Sequence, residues 1–362
     1  LQSAGQYGNY YVVSEIPSDD TTPVLSGSVT DQDEFDKFYL RTTNPFLLAR
    51  WSDGYRGIYR TNTIIDRIGA VTMDENLKKR IVGETKFLRA LMYFNLVRVF
   101  GDVPLVLKET TDPAEGYEYS RSPVADVYAQ IVKDLTDAEN ALPDKYTGAD
   151  IGRVTKGAAK SLLGKVYLTR KQYAEAVVQF GGGGNNRPTA DFVNAYEKGD
   201  LRQAASMATG YTNAQGVRVE YNHVRKYADT PTVSGDSEDN FPVLRYADVL
   251  LMYDEALNET AKTAEALPLL NRIRKRAGLA DNGTLSQAEM RVALEQERRM
   301  ELAFEGHRWF DLVRTGRAVP VLTAKAQTIG IKANLTENNL IFAIPQSQID
   351  INPSKIKQNT GY

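Results

Sequence analysis

Apolar residues recur at spacings of three and four through most of this chain, the period of amphipathic helices, while alternation by two is confined to short runs. The clearest case spans 74–100, where Phe87, Leu88, Leu91, Phe94 and Val97 share one face. Asp74 stands at the N-cap position, Gly101 where a C-cap glycine belongs, and Pro104 bars continuation. The pattern predicts further helix over 34–68, broken at Asn44-Pro45 and again at Ser52-Asp53-Gly54. Another runs over 122–142, capped by Ser122 with Pro123 at its first position. Residues 189–199 predict a short helix. Ser286 and Glu289 have capping-box spacing and open a helix reaching Glu305, and a short helix over 307–315 stops at Gly316. The opening through Asp33 reads as loop, with a short strand or helix at 10–16. Residues 105–121 read as extended, and alternation at 217–221 predicts a strand inside a polar stretch, 200–240. The tail reads as irregular, with a strand at 340–344.

Two helical hairpins emerge, near 153–180 and 243–277. In the first, Leu163-Gly164-Lys165-Val166-Tyr167 matches the L-G-x-x-Y core of a tetratricopeptide helix, and Tyr173 and Ala176 match the opening of its partner. Gly181 to Gly184 then interrupt that second helix. The fold class expected is mainly α: a tetratricopeptide-like helical-hairpin scaffold with long loops and a few short strands.

Composition narrows the function. Lys plus Arg is 44 and Asp plus Glu 46, a net charge of −2, so the footprint of a general nucleic-acid binder is missing. Cysteine is absent, which removes thiol nucleophiles, Cys-ligated metals and disulfides. Nothing approaches a membrane-spanning apolar run. Leu1 to Tyr11 has no basic region followed by an apolar one, so no signal peptide is expected here, and the lack of an initial Met fits a mature or truncated chain. The 20 Tyr against 2 His provide flat faces edged with hydroxyls, suited either to half-buried core positions or to a half-polar ligand.

Catalytic motifs are missing: no H-E-x-x-H, G-x-S-x-G, G-x-G-x-x-G or phosphate loop occurs. No catalytic residue, metal site or cofactor is therefore assigned. Glu295, Glu297, Glu301 and Glu305 could supply a hydrolytic carboxylate pair only if two acids faced each other across a cleft. The plainer reading is i,i+4 ion pairing, such as Glu295 with Arg299. Asp31 and Asp33, in a polar loop, resemble a calcium pair without the rest of an EF-hand. His223 reads either as a ligand contact or as an ordinary surface residue, and His307 as a hydrogen-bonded packing residue.

Several long segments resemble, in order, the SusD/RagB-like outer-membrane nutrient-binding lipoproteins of the Bacteroidetes. They are YYVVSEIPSDD (10–20), WSDGYRGIYRTNTII (51–65), ETKFLRALMYFNLVRVFGDVPLV (84–106), RYADVLLMYDEALNE (245–259), LNRIRKRAGL (270–279), ERRMELAFEGHRWFDLVRTG (297–316) and the QNTGY end (358–362). The resemblance implies one domain over 1–362, with tetratricopeptide-like helices in 1–180 and a RagB/SusD-type part in 181–362. It implies a non-catalytic protein at the cell surface of the outer membrane, held by a lipid anchor absent from this chain. Such a protein captures glycans, or alternatively peptides, for a TonB-dependent SusC-like transporter. Its ligand face draws on the early loop and on mid-chain loops, which points here to Asp19, Asp20, the Trp51–Tyr55 turn, Tyr211, Tyr221, His223 and Tyr227. Aromatic planes would cover sugar faces while polar groups satisfy hydroxyls that lose water. Trp51 also reads as core.

Overall fold

Asp74 caps the longest helix as its sequence predicts: its carboxylate accepts the Leu77 N–H at 2.8 Å, and the helix runs Glu75–Phe100 to Gly101 at φ +70°. The structure, a computed structural model, describes residues 9–23, 30–171, 187–212, 218–226, 245–328 and 335–362. Tyr173, Ala176, the glycines 181–184 and Tyr227 lie outside the described residues. Helices dominate, as in the mainly α class expected, and strands are few and short. β1 (Thr21–Thr22), β2 (Val103–Pro104), β3 (Arg121–Ser122), β4 (Arg187–Pro188), β5 (Met207–Thr212) and β6 (Arg218–Val224) form three antiparallel ribbons, β1–β4, β2–β3 and β5–β6. The described residues group into two compact units, one of 40–167 with 336–362, the other of 9–39 with 168–335.

In the first unit the Glu75–Phe100 helix packs on both the Pro45–Arg67 and Val124–Ala141 helices. Phe94, Leu96, Phe100, Ile58, Ile131 and Leu135 are buried between them. The break at Asn44-Pro45 is real, since Asn44 caps the helix by accepting the Phe46 N–H at 2.9 Å. The break expected at Ser52-Asp53-Gly54 is not: helix runs unbroken from Pro45 to Arg67, and Trp51–Tyr55 is no turn. Gly54 is there for packing, because a Cβ on it would lie 2.9 Å from Leu96 Cδ2. Ser122 is not the cap of the next helix. Pro123 takes the N-cap position, and Asp102 accepts the Val124 N–H at 2.8 Å. No strand forms at 340–344. A 3-10 turn covers Glu337–Leu340, and the Phe342 N–H donates to the Val99 carbonyl at 2.7 Å.

The second unit contains the predicted hairpin as Tyr246–Glu259 and Thr263–Arg276, with the Gln287–Glu301 helix against both. Leu251, Leu257, Leu270, Ile273, Met290 and Leu294 form its core. The Ser286 capping box is present. That helix ends at Glu301, short of Glu305, and Gly306 turns the chain at φ +73° into the Arg308–Thr315 helix. Ala318–Thr328 is a helix where the sequence predicts an irregular tail. Pro320 lies in its first turn, where no N–H is missed. Asp31 and Asp33 belong to the Thr30–Asp36 helix rather than a loop, and Asp33 binds Lys37 at 2.6 Å.

Candidate functional site

The early loop of the second unit is held by arginines. Residues 10–14 form one helical turn, and the following six residues are all buried. Arg308 grips Asp19 with two hydrogen bonds, 2.7 and 2.8 Å, and Arg299 donates to Asp20 at 2.6 Å and to Asp191 at 2.7 Å. Burial alone would raise the Asp19 carboxyl, but the Arg308 guanidinium holds it below its ordinary value. Lys325 donates to the Ser18 and Thr21 carbonyls at 2.8 and 3.2 Å. These bonds fix a backbone, so Asp19 and Asp20 place the loop and their charges are spent inside the protein. Both also line a cavity of about 660 Å³ between helices of this unit. Along its wall runs a ladder of alternating charge, Glu255–Arg314–Asp311–Arg298, continued to Asp248 behind it, at 2.6, 2.8, 3.0 and 2.7 Å. His307, buried as expected, lies 3.4 Å from Asp248.

The acids of the Gln287–Glu301 helix do not pair along their own helix as their spacing suggests. Arg299 turns to Asp19, Asp20 and Asp191, while Glu295 meets Arg308 at 3.4 Å and Arg317 at 3.1 Å. Glu297 binds Arg202 and Arg274, and Glu301 binds Arg245 and Arg276. Each of these acids faces cations, an arrangement that holds elements together.

From the anchored loop the chain reaches the mid-chain ribbon. The Thr189 N–H donates to the Asp20 carbonyl at 2.9 Å and its hydroxyl to the Asp19 carbonyl at 3.0 Å, β1 pairs with β4, and β4 lies beside β6. In the β5–β6 register Tyr211 pairs with Val219, Gly210 with Glu220 and Ala208 with His223, with an irregularity between Ala208 and Gly210. By the two-residue period positions 211, 219 and 221 share one face of the ribbon, while the irregularity moves position 223 to the other face, with 208, 210 and 220. Positions Tyr211 and Tyr221 are thus brought together by backbone register, beside the strand that Asp19 and Asp20 position, and His223 is not among them. The ribbon is rooted by Met207 and Val224 in a cluster with Phe192, Tyr196, Met300 and Phe304.

Trp51 and Tyr55 belong to the first unit, at the floor of a recess of about 310 Å³. Their ring centroids are 5.1 Å apart, and Phe100 meets Trp51 edge-on at 5.2 Å. Trp51 is 4% exposed, so it is core and floor at once. The Tyr55 hydroxyl donates to the Pro104 carbonyl at 2.8 Å. Burial pushes this phenol well above its ordinary pKa. The walls are tied by side chains bonded to backbone. Asn62 donates to the Val106 and Lys108 carbonyls at 2.9 and 3.0 Å, and Asn352 donates to those of Tyr117 and Tyr119 at 2.9 and 3.2 Å. Tyr59 and Tyr119 complete the aromatic lining. Tyr59, four residues after Tyr55 on one helix face, had a readable signal. Tyr119 and Gln348 come from distant segments and had none.

Two family models divide the chain. One described as the SusD family matches residues 196–362, and one described as starch-binding associating with outer membrane matches 19–168. The chain belongs to the SusD/RagB-like family. A SusD-like protein P2 of Formosa agariphila is 26% identical, covering 91% of this chain and 83% of that protein. Among solved structures, a laminarin binding SusD-like protein is 27% identical, covers 100% of this chain and 96% of its own, and superposes with a TM-score of 0.82. A SusD superfamily protein from Parabacteroides distasonis is 26% identical, with coverage of 98% and 93% and a TM-score of 0.82. SusD-like members thus share the helical scaffold found here, which agrees with the resemblance read from the sequence.

Proposed function

We propose that this chain binds oligosaccharide or polysaccharide at the outer-membrane surface, without chemical turnover, and delivers it to a TonB-dependent SusC-like transporter. The observation that carries the reading is the ribbon face at 211 and 221: two Tyr positions beside a loop that four buried charges lock in place. Aromatic planes suit the C–H faces of sugars, and phenol groups suit their hydroxyls. The laminarin-binding relative and the starch-binding family model point to the same ligand class. Peptide capture by the helices, the other reading of the sequence, asks for open arginines. In the second unit's cavity Arg298, Arg299, Arg308 and Arg314 are each held by an acid of the chain, which favours sugar over peptide.

Calorimetry with a panel of neutral and acidic polysaccharides tests the reading. The expected result is binding to at least one glycan, no new reducing ends after prolonged incubation, and at least a tenfold loss of affinity in Tyr211→Ala/Tyr221→Ala. Binding of peptides but of no glycan would overturn it. Co-purification with a large outer-membrane transporter from native membranes checks the delivery step.

A further inference from the structure

The recess of the first unit carries a second signal, independent of the ribbon. Its lining holds no Asp, Glu, Lys, Arg or His, although a quarter of the chain is charged. Its polar groups fall into two sets. Tyr55 and Asn352, like Asn62 behind the walls, spend their side chains on backbone carbonyls and so build the shape. Ser52, Tyr59, Thr110, Tyr119 and Gln348, by contrast, make no side-chain hydrogen bond to another described residue, yet all line the same space. Tyr59 is 45% exposed and Ile351 56%, so the mouth is broad and apolar while the floor is the Trp51–Tyr55 pair.

We propose that this recess is a second binding site, and that it takes an uncharged sugar ring. The volume, about 310 Å³, is at the lower end of small-ligand pockets. A carboxylate or sulfate entering it would lose water and meet no counter-charge, which is costly. A neutral pyranose presents an apolar face to Trp51 and Tyr55 and spreads its hydroxyls toward uncommitted hydroxyl and amide groups that can donate or accept as needed. The second unit's cavity lacks this pattern, because its charged groups already satisfy one another. The proposal extends the carbohydrate reading to a new place and stands without the ribbon.

Trp51 supplies the readout. The chain has two Trp, and Trp309 is 1% exposed in the core of the second unit. The full chain would be titrated with neutral hexasaccharides of glucose, xylose and mannose, and with oligogalacturonate and a sulfated oligosaccharide, while Trp emission and acrylamide quenching are followed. At least one neutral sugar should shift the emission and protect it from quenching, and the anionic probes should do neither. Tyr59→Ala and Gln348→Ala, at exposed and half-buried positions that leave the core intact, should each weaken that response about fivefold or more. Tyr211→Ala/Tyr221→Ala should leave it unchanged. A response lost in the ribbon variant instead, equal binding of the anionic probes, or no response to any neutral sugar would overturn the proposal. If calorimetry loses no affinity in the ribbon variant while the Trp51 response persists, the ribbon reading fails and the recess stands.

Discussion

The two units use helices alike but hold them by different physics. In the first, a long helix is sandwiched between two others with apolar side chains, and glycine at 54 lets the backbones close. Arg89 with Asp134, at 2.7 Å, is a buried ion pair in that setting. In the second, buried guanidiniums and carboxylates alternate across helices and into the early loop. Apolar packing is non-directional, whereas a two-point guanidinium–carboxylate contact fixes distance and angle. Where one helix need only lie on another, the chain packs oil against oil. Where a loop of irregular backbone must be set beside a ribbon, it uses directed charge.

The sharpest way to break this contrast is to remove one partner of a directed pair. Arg308→Ala strips buried Asp19 of its two-point partner, leaving only Arg299 at 3.1 Å, and should cost about 3 kcal/mol in urea denaturation followed by near-ultraviolet circular dichroism. Arg308→Met/Asp19→Asn should recover much of that loss; equal losses in single and double variants would mean the pair does not set stability. The matching change in the first unit is Gly54→Val, which drives methyl groups into Leu96 and should cost about 1–3 kcal/mol.

Asp254 sharpens the comparison by pH. It is fully buried, and neither carboxyl oxygen has a hydrogen-bond partner among the described residues. Burial, with the nearby charges of Glu255 and Glu297, pushes its pKa from 3.8 up to about 8. Between these values the unfolded chain has released the proton and the folded one keeps it. Stability should therefore fall as pH rises from about 4 to about 8, by up to about 1.4 kcal/mol per pH unit, and stop falling above that. Asp254→Asn should flatten this slope, whatever it does to stability at one pH; an unchanged slope would assign the titration elsewhere. The smallest effect expected is at the helix cap of the first unit, where Asp74→Ala should cost about 1 kcal/mol.

What could be read from sequence followed from locality. The Glu75–Phe100 helix, the 246–276 hairpin and the Ser286 box carry their caps and faces within a few residues, and all were legible. The misreadings have partners far along the chain. Gly54 looked like a breaker until Leu96 was seen against it, and Ser122 looked like a cap although Asp102 does the work. The acids at 295–305 seemed paired along their helix because spacing reveals only neighbours in sequence. The same limit governs the site. Tyr55 and Tyr59 are one helical turn apart, and alternation marks the strand at 219–221, but nothing local marks its partner at 211 or joins Tyr119 or Gln348 to Trp51.

The bond between Asp19 and Arg308 spans 289 positions and that between Asp20 and Arg299 spans 279. A ribosome makes the early segment long before these arginine anchors. Closing so large a loop is entropically slow. Through that interval the segment has only its nearer ties, Gln32 and Thr189 among them, and the surface it frames is locked only when the arginines arrive.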